Sequence, residues 1–235
     1  MEPKLMNRRN TPSASKELTG HARGNSTKPD SAIQIPRFTG AVLAGGRSLR
    51  MGQDKTRLTV AGEPLLTRQI RLLSECGAQE ILVSQHPDRP LTVPERLTPP
   101  TPRLVLDFPG ELGPLGGLGA ILAATKTDLV LVVAVDLPHL TVSFLRRLLT
   151  LSTDGVGVVC RSSRGLEPLL SVYPRRALSA IEFAIAQRQL SCQRMAAIGL
   201  KERWLTEFQP QTDALFNLTN WNVPADCEFF CKTQK

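Results

Sequence analysis

Between Leu43 and Lys55 the chain carries three glycines, Gly45, Gly46 and Gly52, and three cations, Arg47, Arg50 and Lys55. A short apolar run, Gly40-Ala41-Val42-Leu43, leads into it and reads as a buried strand. Glycine permits positive φ and close approach of backbone to a ligand. Successive exposed N–H groups form an anion-binding concavity, and the side-chain cations add full charge beside it. The chemistry this serves is the holding of a polyphosphate. The spacing matches neither the Walker loop nor the dinucleotide pattern GxGxxG.

Two carboxylates close other apolar runs: Asp107 after Arg103-Leu104-Val105-Leu106, and Asp136 at the end of Asp128-Leu129-Val130-Leu131-Val132-Val133-Ala134-Val135. Ligands of open parallel sheets bind outside the carboxyl ends of the strands. If these strands are neighbours, the glycine segment, Asp107 and Asp136 converge on one crevice. A carboxylate at the end of so apolar a strand is costly to keep charged without a cation or several donors. Asp136, followed by Leu137-Pro138, therefore reads as a Mg²⁺ ligand, since Mg²⁺ takes one or two carboxylates plus substrate phosphates. The competing reading makes Asp136 the start of a turn before a helix capped by Thr141.

The run Leu43-Ala44-Gly45-Gly46-Arg47-Ser48-Leu49-Arg50-Met51-Gly52-Gln53-Asp54-Lys55 resembles the opening of nucleotidyltransferases that attach a nucleoside monophosphate to a phosphorylated acceptor. Within them it is most similar to the molybdenum cofactor guanylyltransferase (MobA) family. Asp107 through Gly113-Pro114-Leu115-Gly116-Gly117 resembles that family's guanine-nucleotide segment, and Glu167-Pro168-Leu169-Leu170 a segment on its acceptor side. Asn220-Trp221-Asn222-Val223-Pro224-Ala225-Asp226 resembles a C-terminal N-x-N-T-P-E-D segment associated with the pterin, with Val223 and Ala225 as departures. Asn222 reads equally well as a helix cap. Ser84 stands where close relatives often carry Asn for nucleotide contact.

The resemblance implies a single Rossmann-like, three-layer α/β domain with a mostly parallel central sheet, of the nucleotide-diphospho-sugar transferase type. It implies transfer of GMP from GTP to molybdopterin cofactor with release of pyrophosphate, aided by Mg²⁺ on Asp136. Lys55, Arg50 and Asp136 would be catalytic. Leu43, Ala44, Gly45, Gly46, Arg47, Lys55, Ser84, Gly113, Asn220 and Asn222 would bind substrates, and Asp107 would serve base, ribose or metal. The alternatives are a cytidylyltransferase for the same pterin, a sugar-phosphate nucleotidyltransferase, and a non-catalytic nucleotide-binding maturation factor for molybdoenzymes.

Composition narrows the field further. A hydrophobic fraction of 41% supports one substantial core, and no apolar run approaches a membrane span of about 20 residues. The first residues lack the apolar core of a secretory signal, so export by that route is not expected, and translation could also begin at Met6. Five scattered cysteines without a CxxC pair suit a reduced, cytoplasmic protein without a zinc site. Aromatics at 5% supply no stacking platform for RNA, so nucleic acid is not the expected partner; the resemblance implies transient contact with molybdoenzymes or their chaperones instead. The net charge is +8, and residues 1–37 hold seven cations against three acids with few large apolar side chains. That segment reads as a disordered basic extension, leaving 38–235 as the nucleotidyltransferase domain.

Past residue 38 the pattern alternates strands and helices, as in an α/β domain. Pro64 opens a helix that ends near Gly77, Glu80–Ser84 forms a strand, and the six prolines of 86–102 mark an irregular loop. Strands follow at 103–107, 128–136, 156–160 and 168–172. Helices follow Thr141, Pro174 and Ser191. His139 reads as a local turn residue.

Overall fold

Alternation along the strands decides the layering. In β1 (Phe38–Leu43), Phe38 and Val42 enter one apolar cluster while Ala41 and Leu43 enter another. β6 (Leu129–Ala134) repeats this, with Leu129, Leu131 and Val133 on one side and Val130 and Val132 on the other. A strand covered on both faces has no polar side to show, so its sequence is continuously apolar. Helices α1 (Leu65–Glu75) and α3 (Val142–Leu151) cover the first face. The second is covered by α2 (Pro114–Ala124), α4 (Leu178–Ala186) and α5 (Cys192–Lys201). The three-layer α/β arrangement expected from the sequence is the one observed.

This computed structural model describes residues 34–44, 59–93, 97 and 99–218, which fall within one compact unit, Ile33–Lys235. Among them seven strands form the main sheet in the order β5 (Arg103–Leu106), β4 (Glu80–Gln85), β1, β6, β8 (Gly165–Pro174), β7 (Gly157–Ser162), β9 (Leu205–Phe208). All neighbours run parallel except around β8, which is antiparallel to both β6 and β7. A two-strand ribbon, β2 (Thr59–Val60) and β3 (Glu63–Pro64), precedes α1. From β1 the chain steps outward through β4 to β5, then returns through α2 to β6 on the other side of β1. The order reverses between β1 and β6, where such sheets bind ligands.

Several boundaries differ from the sequence reading. β6 ends at Ala134, because its partner β1 ends opposite at Leu43. Asp136 therefore sits in a turn just past the strand. β9 and the β2–β3 ribbon were not anticipated, and β8 begins three residues before Pro168, across a register shift between Val159 and Cys160. Ile35 packs on the first cluster and Arg37 Nε donates to Gln79 at 3.0 Å, so these residues belong with the domain rather than the extension. The rest of the extension, expected from the sequence to be disordered, lies outside the described residues. Thr141 Oγ1 accepts from Phe144 N at 3.3 Å and Ser191 Oγ from Arg194 N at 3.2 Å, the two caps expected for α3 and α5. Among the described residues, no helix is long and apolar enough to cross a membrane.

Candidate active site

At the carboxyl edge of the sheet, Leu43 pairs with Ser84 of β4 on one side and Ala134 of β6 on the other. The glycine-rich segment thus leaves from the middle of that edge. Leu43 is buried and its carbonyl accepts from Val135 N at 3.4 Å, while Ala44 is half-buried against the first cluster. Gly45, Gly46, Arg47, Arg50 and Lys55 lie outside the described residues, as do Asn220 and Asn222.

Asp107 stands just past β5, its N–H donating to Gln85 O at 2.9 Å. Its Oδ1 is buried and finds no hydrogen-bond partner. Burial raises its pKa above the ordinary aspartate range, with the Ser84 hydroxyl and His86 acting against that rise. α2 passes close above: a β carbon on Gly117 would lie 2.9 Å from Ser84 Oγ and 3.0 Å from Asp107 Oδ1. Ser84 is itself buried, so it faces this corner rather than open cleft. Gly116, Gly117 and Gly119 lie inside α2, and their missing side chains make room for Leu112, Ser84, Asp107 and Phe108. Gly113, the residue before the helix, has φ +59° and open space where a side chain would be.

Asp136 occupies the other flank. β5 and β6 are separated by β4 and β1, so Asp107 and Asp136 stand three strand steps apart, about 14 Å at the usual spacing. A Mg²⁺ ligand must come within about 2.1 Å, so the two carboxylates cannot share one ion. That separation sets Asp107 apart from an ion held by Asp136, and the single crevice widens into a two-ended one with β1 at its centre. Asp136 lines a cleft of ≈ 240 Å³ with Glu167, Pro168, Leu169, Cys192 and Gln193. Glu167 accepts from Ser162 Oγ at 2.6 Å and Arg164 Nη2 at 3.4 Å. Burial pushes the Cys192 thiol up to about 11, so it stays protonated near neutrality and is no nucleophile. The cleft positions of Cys192 and Gln193 escaped the sequence reading, although the Ser191 cap had located the start of their helix. His139 rests against Phe216, ring centroids 3.9 Å apart.

Among the described residues no three His, Cys, Asp or Glu side chains gather as a metal cage. Asp136 offers carboxylate oxygens, the donors Mg²⁺ prefers when substrate phosphates complete its shell. The segment after Asp136 is tied to α1: Gln69 Nε2 donates to Leu137 O at 2.7 Å. Arg68 donates from Nε to Pro138 O at 2.9 Å and from Nη2 to Leu140 O at 3.1 Å.

A parallel sheet whose order reverses beside a glycine-bearing strand end, with a carboxylate on either flank, defines an α/β domain built to hold a nucleotide. The model of the MobA-like NTP transferase domain matches residues 40–201, and the chain belongs to that family of enzymes. It is 34% identical over 192 residues to a "Probable molybdenum cofactor guanylyltransferase" of Opitutus terrae, covering 80% of this chain and 92% of the relative. It is 36% identical over 172 residues to the molybdenum cofactor guanylyltransferase of Xanthomonas euvesicatoria, covering 69% and 84%. The fold is that of the molybdopterin-guanine dinucleotide biosynthesis protein A from Archaeoglobus fulgidus, with a TM-score of 0.60 at 19% identity over 83% of this chain and 98% of that one. Membership of an NTP transferase family points to use of a divalent metal.

Proposed function

We infer that this chain transfers GMP from GTP to the terminal phosphate of molybdopterin cofactor, forming the guanine dinucleotide cofactor and releasing pyrophosphate. The observation that carries the reading is the position of Asp136, one strand from the end of β1 and opening on a cleft on the far side of β6. That arrangement suits a nucleotide over β1 and an acceptor beyond β6. The acceptor phosphate attacks the α-phosphorus in line as the bond to pyrophosphate breaks. The nucleophile is already an anion near neutral pH, so no strong general base is required. The task left to the protein is positioning and charge neutralisation.

In this reading Arg47, Arg50 and Lys55 neutralise phosphate charge, and Gly45 and Gly46 present backbone donors. Asp107, with Gly113, serves the base or ribose end. Asp136 would hold the metal, for which its oxygen donors suit Mg²⁺, and the ion when bound would supply positive charge against the phosphates. Asn220 and Asn222 belong to the pterin end. Guanine over cytosine follows the resemblance at Gly113-Pro114-Leu115 and the names of the relatives. A GTP substrate supports a cytoplasmic setting for the reaction, and the proposal includes transient contact with molybdoenzymes or their chaperones that take up the product.

The test is Asp136→Asn, which removes charge with little change of shape. An amide oxygen is a poorer Mg²⁺ ligand, so turnover is expected to fall about 100- to 1000-fold, the size of losing one electrostatic stabiliser. The melting temperature should hold. Near-wild-type turnover at limiting Mg²⁺, or plain unfolding, would return Asp136 to the role of turn residue.

A further inference from the structure

The turn that carries Asp136 keeps one bond to β1, from Val135 N to Leu43 O at 3.4 Å. Past Ala134 the sheet ladder ends, and the carbonyls of Leu137, Pro138 and Leu140 must be satisfied elsewhere, since a buried orphan is costly. Two adjacent residues of α1 take all three. Gln69 is fully buried among Leu65, Leu66, Ile70 and Leu73, yet only its Nε2 is used; Oε1 is buried without a partner. Leucine in its place would remove that unpaired oxygen but orphan the buried Leu137 carbonyl, so the work of the amide here is to hold that stretch of backbone. Arg68 supplies a planar fork whose two bonds reach carbonyls two residues apart, with Glu63 Oε2 3.9 Å from Nη1. A lysine has no such fixed fork.

We propose that Arg68 and Gln69 are positioning residues that clamp the Leu137–Leu140 backbone against α1 and thereby set the metal affinity of Asp136. This rests on the reading of Asp136 as the metal ligand. Mg²⁺ demands near-octahedral geometry at about 2.0–2.1 Å, so freedom in the backbone next to its ligand weakens binding directly. α1 also follows the glycine-rich segment in the chain, separated from it only by the β2–β3 ribbon. One helix therefore joins the segment expected to hold phosphates to the segment expected to hold the ion.

The experiment uses the full chain as Gln69→Leu, Arg68→Met and Arg68→Lys, with Asp136→Asn alongside. Hydrogen exchange reports the amides of Val135–Leu140, Mn²⁺ binding in the presence of GTP is followed by electron paramagnetic resonance, and steady-state kinetics give KM for GTP at saturating Mg²⁺. The clamp predicts faster exchange confined to that segment and Mn²⁺ affinity lower by about 10- to 100-fold. KM for GTP should change little, and Arg68→Lys should fall between wild type and Arg68→Met. Wild-type exchange in the variants would overturn the clamp. Faster exchange with unchanged Mn²⁺ affinity, while Asp136→Asn loses Mn²⁺, would make the clamp structural and overturn its link to the metal. Unchanged Mn²⁺ affinity in Asp136→Asn itself would overturn both the metal reading and this proposal. Should Gln69→Leu fail to fold, the Arg68 pair carries the same comparison.

Discussion

Asp107 is a carboxylate held where charge is disfavoured, and its stability cost has a definite sign. Burial raises its pKa in the folded state, so the folded chain binds a proton more tightly than the unfolded one. Stability must then decline as pH rises from the unfolded value, about 3.9, through the raised folded value. Asp107→Asn removes this contribution. Urea midpoints from pH 4 to pH 7 should show the wild type losing stability relative to the variant as pH rises; parallel curves would mean that the carboxylate is not strained. The variant should also bind GTP more weakly if Asp107 meets base or ribose, which separates a functional carboxylate from an idle one. The sequence flagged Asp107 and Asp136 because a charge ending an apolar strand is conspicuous. It gave no hint of Gln69, whose importance depends on a carbonyl 68 positions away.

Elements whose signals are local were legible, and those defined by distant pairing were not. Pro64, Thr141 and Ser191 announced α1, α3 and α5 because a fixed φ or a capping hydroxyl acts within one turn. β9 has one buried residue among its four and is a strand only because β7 lies beside it. At α2 local propensity and distant packing oppose each other. Its glycines disfavour a helix by about 1 kcal/mol each, and packing against the Asp107 corner overrides that propensity. Gly117→Ala sets these effects against each other: helix propensity gains about 1 kcal/mol, while overpacking against Ser84 and Asp107 costs about 1–3 kcal/mol. A net loss of about 1 kcal/mol is expected, seen as a fall of about 2–4 °C in Tm, with weaker GTP binding by calorimetry because Asp107 must shift. A stabilised variant with unchanged GTP affinity would show that the corner has slack.

Across the whole molecule, strand order is what the sequence withheld. The glycine and cation run could be read as a polyphosphate device because its chemistry sits within thirteen residues. Nothing local says that β1 lies between β4 and β6, or that three strand steps separate Asp107 from Asp136. On the proposed reading, that separation divides the labour: a nucleotide end at β4–β5, the phosphates over β1, and an acceptor cleft beyond β6. One assay tests this division as a whole. The protein is incubated with Mg²⁺, molybdopterin cofactor and each nucleoside triphosphate in turn, pyrophosphate release is timed, and the product is identified by mass. The account predicts pyrophosphate in step with guanine dinucleotide cofactor, and kcat/KM for GTP above that for CTP by more than about tenfold. Equal or better use of CTP would contradict the guanylyl assignment, and no pyrophosphate from any nucleotide unless a sugar phosphate replaces the pterin would contradict the acceptor.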